Sequence, residues 1–395
     1  MSTEKKSSSP RIPTSALANL KVLDLATFIA GPYCATFLAE FGADVVKVEL
    51  PGIGDPVRKF GTMTDCGDTL VWLSEGRNKR SIELDLRSKE GSDTLKKLVA
   101  EADVLCENFQ VGTLEKWGLG ADVLQAINPN LIIARVTAYG QTGPYKDRPG
   151  FGRIANAFSG ISYLCGESES APASPGTATL SDYMSGLYAA LGVLVALYAR
   201  PQTGRGQVID IGLYESVFRI LDELAPAFAK SGFVRERMGA GTVNAVPHSH
   251  YPTQDGLWVA IACTNDKIFE RLAKVMERED VTGDGPYGTI QKREANRGAV
   301  DAFVTNWTTG HTREAILLHC AAGEVPCGPV YSIDEIFKDP QYQARGNLVT
   351  LNDSRAGPIT MPNVCPRLSD TPGTVKWAGR ALGADTAEVL KDWLG

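Results

Sequence analysis

In TATLSDYMSGLYAALGVLVALYARPQTGRG, residues 177–206, a carboxylate stands at the head of a long apolar run. No charge occurs from Leu187 to Tyr198, so the run predicts a buried helix of about four turns that begins near Ser181 and Asp182. A carboxylate at that place has two uses. Thr177, Ser181 and Asp182 are residue types that cap helix N-termini, and a negative charge there suits the helix dipole. The same unpaired N–H groups could instead hold Asp182 ionised as a nucleophile and then receive a negative oxygen forming beside it. Taken alone, this stretch leaves both uses open.

Other chemistry-bearing residues are sparse. The four histidines are His248, His250, His311 and His319, and His248-Ser-His250 has no acidic or Cys residue near it in sequence to complete a metal site. The eight cysteines are spread singly without a C-x-x-C pair, which predicts neither zinc nor a disulfide scaffold but reduced core thiols. The strand–helix–strand ending at Glu49 imitates a dinucleotide-binding unit. Its first turn, TFIAGPYC (27–34), lacks G-x-G-x-x-G, and Gly31-Pro32 offers too few N–H groups for a pyrophosphate. Neither a P-loop nor a G-x-S-x-G elbow occurs, and TGRGQ (203–207) reads as a turn.

The 395 residues carry 43% hydrophobic and 22% charged side chains and a net charge of −6. This composition fits a globular protein with a large core and gives no footprint for nucleic acid. Apolar runs fall short of the roughly 18 residues a membrane span needs, so no membrane is expected. Residues 1–16 are polar and Ser-rich without an apolar signal core, which predicts a disordered tail on a cytoplasmic protein.

Several elements must position these residues. Strands are predicted over Lys21–Ala26, Asp44–Glu49, Arg80–Leu86, Asp103–Phe109 and Leu131–Gly140, with helices over Gly31–Gly42 and Ser88–Ala102. This alternation predicts an α/β fold with a mostly parallel, Rossmann-like sheet. Ligands then bind beyond the carboxyl ends of strands, at Phe28–Pro32, Gly52–Arg58, Asn108–Lys116 and Tyr139–Tyr145. After the long helix, QVIDIGLYESV reads as a strand and a helix. GAGTVNAVPHSHYPTQDG reads as a long loop, and a smaller α+β unit follows with a strand at Leu257–Cys263 and helices near Asp266–Met276 and Thr312–Ala322. VPCGPVYSIDEIFKDPQY reads as a linker back to the first domain.

The turns after the strands occur as an ordered set: VLDLATFIAGPYCATFLAEFGADVVKVELPGIGDPVR, NKRSIELDL, ENFQVGTLEKWGL, TAYGQTGPY, SDYMSG and TGRGQ. From Leu17 to Leu213, and more weakly over Val325–Tyr342, the chain resembles the class III CoA-transferases, which include formyl-CoA transferase and the carnitine CoA-transferases. The resemblance implies an interlocked dimer, a homodimer or a heteromer with a paralogous subunit. It also implies a large CoA-binding domain (17–225, completed by 331–395) built from both chain ends, with a small α+β domain (226–330).

The resemblance makes Asp182 the catalytic carboxylate. It attacks a donor thioester to give an aspartyl–acyl anhydride, then becomes an aspartyl-CoA thioester that the acceptor acid resolves. No cofactor is implied beyond coenzyme A as co-substrate, and no metal. The positions implied to bind CoA are Asn78, Lys79, Arg80, Asn108, Phe109, Lys116 and Tyr139. Formyl-CoA transferase has Gln where this chain has Ile29, a difference that removes a polar contact near the acyl group and argues against oxalate and formate. It also has Arg where this chain has Leu50 and Lys where it has Thr137, differences that bear on the family's adenine and phosphate contacts.

CGDTLVWLSEGRNKR and DLATFIAGP resemble the branch that uses succinyl-CoA with C4–C5 dicarboxylic acids such as malate, citramalate, itaconate or glutarate. Ile29 and Ala30 would then line the acyl site, and a cation is needed for the distal carboxylate. Arg58, Arg153 and a loop histidine, His248 or His250, are the candidates. Two other readings exist. A 2-methylacyl-CoA racemase of this fold needs a His-Asp pair where Phe151 and Gly152 stand, and a non-enzymatic CoA-binding scaffold has no use for Asp182.

Overall fold

The structure, a computed structural model, describes residues 15–177 and 179–395, so most of the expected N-terminal tail lies outside the described residues. The chain forms two compact units. The first takes the chain up to Ile161, Ser174–Pro226 and Gln341–Gly395; the second takes Ser162–Ala173 and Ala227–Pro340.

The first unit is an α/β layer structure. In chain order it begins β1 (Lys21–Asp24), α1 (Ala30–Glu40), β2 (Asp44–Glu49), β3 (Lys79–Glu83), α2 (Lys89–Glu101), β4 (Val104–Glu107) and β5 (Ile132–Thr137). It continues with α3 (Gly152–Ser159), α4 (Leu180–Thr203), β6 (Val208–Gly212) and α5 (Leu213–Phe218). The six strands are all parallel and lie in the order β3-β2-β1-β4-β5-β6. The order reverses between β1 and β4, and that crevice is where a doubly wound sheet binds ligands.

Both faces of the sheet are buried, which is why its strands read as near-continuous apolar runs. Val22, Val45, Val104 and Ile132 pack on the face covered by α1 and α4. Leu23, Val46, Leu105 and Ile133 pack on the face covered by α2.

The buried-helix expectation for α4 is only half met. Ser185, Gly186, Ala189, Ala190, Val193 and Ala196 are buried, while Leu187, Leu191, Val195 and Tyr198 form an exposed stripe. Tyr198 is 80% exposed. Absence of charge marks a helix as apolar all round but does not say which partner covers each face. By length and composition α4 would also suffice to cross a membrane, contrary to the reading from run lengths; its small-residue face is instead packed in the core.

The second unit has an antiparallel sheet of β7 (His248–Pro252), β8 (Trp258–Ala262) and β9 (Cys327–Pro329). Helices α6 (Asp266–Val275), α7 (Arg297–Thr308) and α8 (Arg313–Ala322) pack around its core. Two expectations are corrected here. His248 and His250 lie on a strand rather than in a loop, because the stretch His248–Pro252 pairs antiparallel with β8 and buries Tyr251. The expected linker contributes β9 through Cys327–Pro329. The chain returns to the first unit as the hairpin β10 (Leu348–Asp353) and β11 (Gly357–Pro362) and ends in α9 (Thr386–Leu394), whose Val389 and Trp393 join the α2 face of the core.

Candidate active site

Asp182 is the third residue of α4 and is half-buried. Its expected role as a cap is corrected. Thr179 occupies the N-cap position, and no side chain caps the helix. Helical side chains point back toward the N-terminus, which carries the Asp182 carboxylate to the Thr179 hydroxyl; that hydroxyl donates a short hydrogen bond to Oδ2. Burial pushes the Asp182 carboxyl above the ordinary carboxylate range, and the Thr179 hydrogen bond works against the rise. No ion-pair partner for Asp182 occurs among the described residues.

Residue 152 completes the grip. The buried Ser181 hydroxyl donates to the Gly152 carbonyl at 2.8 Å, tying the start of α4 to the start of α3. A Cβ on Gly152 would come within 2.5 Å of Asp182 Oδ2, so only glycine fits while the carboxylate stays in place.

The start of α1 packs against the same helix. Ile29 is buried with Val57, Trp72 and Leu73, and Tyr183 packs against that cluster. A Cβ on Gly186 would fall 2.7 Å from the Ala30 carbonyl oxygen, so glycine sets the close approach of α1 and α4. Tyr33 and Tyr183 meet edge to face at 4.8 Å. Burial, then the Glu75 charge, pushes the Tyr183 hydroxyl pKa up and keeps it protonated.

Phe28, held at φ 61°, stands edge-on to both Phe60 and Phe151 with ring centroids 6.2 and 6.1 Å apart. Sequence reasoning missed this trio. Its one signal was the position of Phe28 just after a strand.

The residues expected to meet CoA divide into two groups. In the first, Asn108 clamps the turn after β1: Oδ1 accepts from the Thr27 N–H at 2.8 Å and Nδ2 donates to the Thr27 carbonyl at 2.7 Å. Phe109 lies edge-on to Trp117 at 5.3 Å. Lys116 is exposed at the end of the short helix Thr113–Lys116. Tyr139 belongs to an aromatic group with Tyr145, Phe158 and Tyr214.

The second group is committed internally. Lys79 is 2% exposed, and its Nζ donates to Asp24 at 2.8 Å and to the Pro32 carbonyl at 2.7 Å. Asn78, at φ 60°, donates to the Thr374 carbonyl and accepts from Lys376 N–H, knotting the C-terminal segment to β3. Arg80 pairs with Asp44 and Asp392.

Arg58, expected to stand ready for a distal carboxylate, is 3% exposed. It pairs with Glu49 at 2.7 Å and Asp68 at 2.9 Å and lies over the Trp72 ring at 3.7 Å. His248 belongs to the second unit, where it opens β7 half-buried. Among the described residues, no group of three or more His, Cys, Asp or Glu side chains is placed to hold a metal ion.

The chain is similar to known proteins along most of its length. The family model described as CoA-transferase family III matches residues 17–386. The chain is 52% identical over 379 residues to the succinyl-CoA–L-malate CoA-transferase alpha subunit of Chloroflexus aurantiacus, covering 96% of this chain and 89% of that protein. It is 53% identical over 384 residues to the beta subunit of the succinyl-CoA–L-malate CoA-transferase of that organism, covering 97% and 95%. A crystal structure of a CAIB/BAIF family protein from Brucella suis superposes with a TM-score of 0.85 at 34% identity, covering 96% of this chain and 99% of that one.

Proposed function

Because the chain belongs to CoA-transferase family III and is a CoA-transferase, we propose that it moves CoA from succinyl-CoA to a C4–C5 dicarboxylic acid, such as malate, citramalate, itaconate or glutarate, with Asp182 as nucleophile. One observation carries the reading. The Asp182 carboxylate is half-buried, held by the Thr179 hydroxyl and abutted by Gly152, and among the described residues no cation pairs with it. A paired carboxylate would be a poorer nucleophile.

In the proposed cycle, a carboxylate oxygen of Asp182 attacks the succinyl carbonyl carbon, the C–S bond breaks and CoA leaves as thiolate. The thiolate attacks Cγ of Asp182, the anhydride C–O bond breaks and succinate departs, leaving an aspartyl-CoA thioester. The acceptor carboxylate attacks Cγ and displaces the thiolate, which attacks the acceptor's acyl carbon and regenerates free Asp182. Positioning is worth effective molarities of ~10⁵–10⁸ M to such a weak nucleophile. Water would destroy the anhydride; the rings nearest in the chain are Phe151, next to Gly152 and edge-on to Phe28, and Tyr183, next to Asp182 and edge-on to Tyr33.

CoA contacts fall to Asn108, Phe109, Lys116 and Tyr139, with Lys79, Asn78 and Arg80 holding β1, β3 and the C-terminal segment behind them. Ile29 and Ala30 line the acyl side. The enzyme acts as an interlocked dimer in the cytoplasm. The exposed stripe of α4 supports a second chain packing there. That its relatives bear the names of alpha and beta subunits supports a paralogous partner as much as a second copy. Racemase chemistry is not favoured, since neither Phe151 nor Gly152 can take a proton.

The test is chemical. Wild type incubated with succinyl-CoA and no acceptor, then treated with hydroxylamine, should gain a hydroxamate at Asp182 and lose activity in step. Asp182→Asn should fold and transfer nothing. An unmodified Asp182, or an asparagine variant that still transfers CoA, would overturn the mechanism.

A further inference from the structure

A dicarboxylate that reacts at one end leaves an anion at the other, and a cation must meet it in a site otherwise lined by aromatic and apolar groups. The structure removes the first candidate, since Arg58 is sealed between Glu49 and Asp68. Arg77, Arg80, Arg135 and Arg355 of the same unit are likewise paired with Glu40, Asp44, Glu107 and Asp68.

Arg153 differs. It is exposed, has no carboxylate partner among the described residues, and donates from one guanidinium nitrogen to the Ser174 hydroxyl at 2.8 Å. It is also tied to the Asp182 neighbourhood twice. Its chain neighbour Gly152 abuts the Asp182 carboxylate, and adjacent Cα atoms lie about 3.8 Å apart. Ser174 opens the segment leading to Thr179, whose hydroxyl holds the same carboxylate. A guanidinium so placed keeps N–H donors free for bidentate recognition of a carboxylate.

We propose that Arg153 is the specificity-determining residue that receives the distal carboxylate of both the succinyl donor and the dicarboxylic acceptor, with Ser174 holding the guanidinium in place. The proposal rests on the dicarboxylate reading above. In chemical terms, Arg153 separates diacids from monoacids, while Asp182 reacts with either.

The experiment compares isotope exchange of labelled succinate into succinyl-CoA with that of labelled butyrate into butyryl-CoA. Arg153 is exposed, so Arg153→Gln should fold with unchanged melting temperature. The ratio of succinate to butyrate exchange should fall roughly 10- to 100-fold, the worth of one charge-assisted contact, through the KM of the acid. Arg153→Lys should fall in between, since it keeps the charge but loses the fork. A ratio unchanged in Arg153→Gln, whether both rates fall together or neither does, overturns the assignment of Arg153 alone. Wild-type enzyme that exchanges butyrate and not succinate overturns the dicarboxylate reading itself.

Discussion

Gly152 stands with its Cα against the carboxylate of Asp182: a Cβ at position 152 would lie 2.5 Å from Oδ2 and 2.9 Å from Cγ. The backbone there lies outside the left-handed region, so an alanine costs space rather than conformation. The Thr179 hydroxyl that holds the carboxylate would lie closer still, so Gly152→Ala must shift the Thr179–Asp182 pair or move α3. Displacement by about 1 Å costs on the order of 10²-fold in rate. We expect kcat to fall by that order with the melting temperature changed by only a few degrees. Full activity in the alanine variant would show that the carboxylate does not react from this position.

The acid limb of activity should follow Asp182. Nucleophilic attack needs the ionised carboxylate, and burial raises its pKa, so kcat/KM should be lost on the acid side above the ordinary aspartate value of about 4. The Thr179 hydroxyl stabilises the ionised form. Thr179→Val removes that bond at little cost to the helix, because Thr179 makes no capping hydrogen bond. The acid limb should then move to higher pH. A limb that stays or moves down would exclude this hydrogen bond as a determinant of ionisation.

Lys79 should report as a structural residue. Removing one partner of a buried pair costs about 3–5 kcal/mol, and Asp24, 0% exposed, would be left with Lys47 at 3.7 Å and the Ala26 N–H at 3.1 Å. Lys79→Met should lower the unfolding free energy by that order, measured in urea, before any change in affinity for CoA thioesters is seen. A raised KM with unaltered stability would return Lys79 to the phosphate site.

The stripe on α4 should report on assembly. Leu191 and Val195 are 55% and 59% exposed in the single chain. If α4 packs against a second chain as proposed, Leu191→Glu or Val195→Glu would bury a charge there, and light scattering should show loss of the assembly or of soluble protein. A variant dimer as stable as wild type would place the interface elsewhere.

Where order is local, the chain could be read closely. Asp44–Glu49 is a strand over those residues, and the helix predicted over Ser88–Ala102 runs Lys89–Glu101 with Ser88 and Ala102 as its caps. Alternation, apolar period and capping residues all act within a few positions of one another. Asp182 is proposed as the nucleophile for a different reason: the resemblance points to it, and it lies in the first turn of α4. Arg58, Asn78 and Lys79 were not legible. Each looks like a basic or polar turn residue, yet Lys79 meets Asp24 at 55 residues' separation and Asn78 meets Thr374 at 296. His248 was misread because a strand edge depends on its partner, here β8.

The sequence by itself determined the α/β alternation, the parallel sheet and the helix whose first turn holds Asp182, because propensity, period and turn chemistry are written in neighbouring residues. Only the tertiary structure decided which charges are spent and which are available. Arg58, in the short 3-10 helix Pro56–Lys59, and Arg153, in the first turn of α3, are the same residue type, but one is closed between two carboxylates and the other, among the described residues, meets a serine hydroxyl and no carboxylate. The same holds for Gly152, whose lack of a side chain acquires a reason only when α4 brings Asp182 against it. Ion pairing and steric exclusion act through space, and the distances that govern them exist only after the chain has folded.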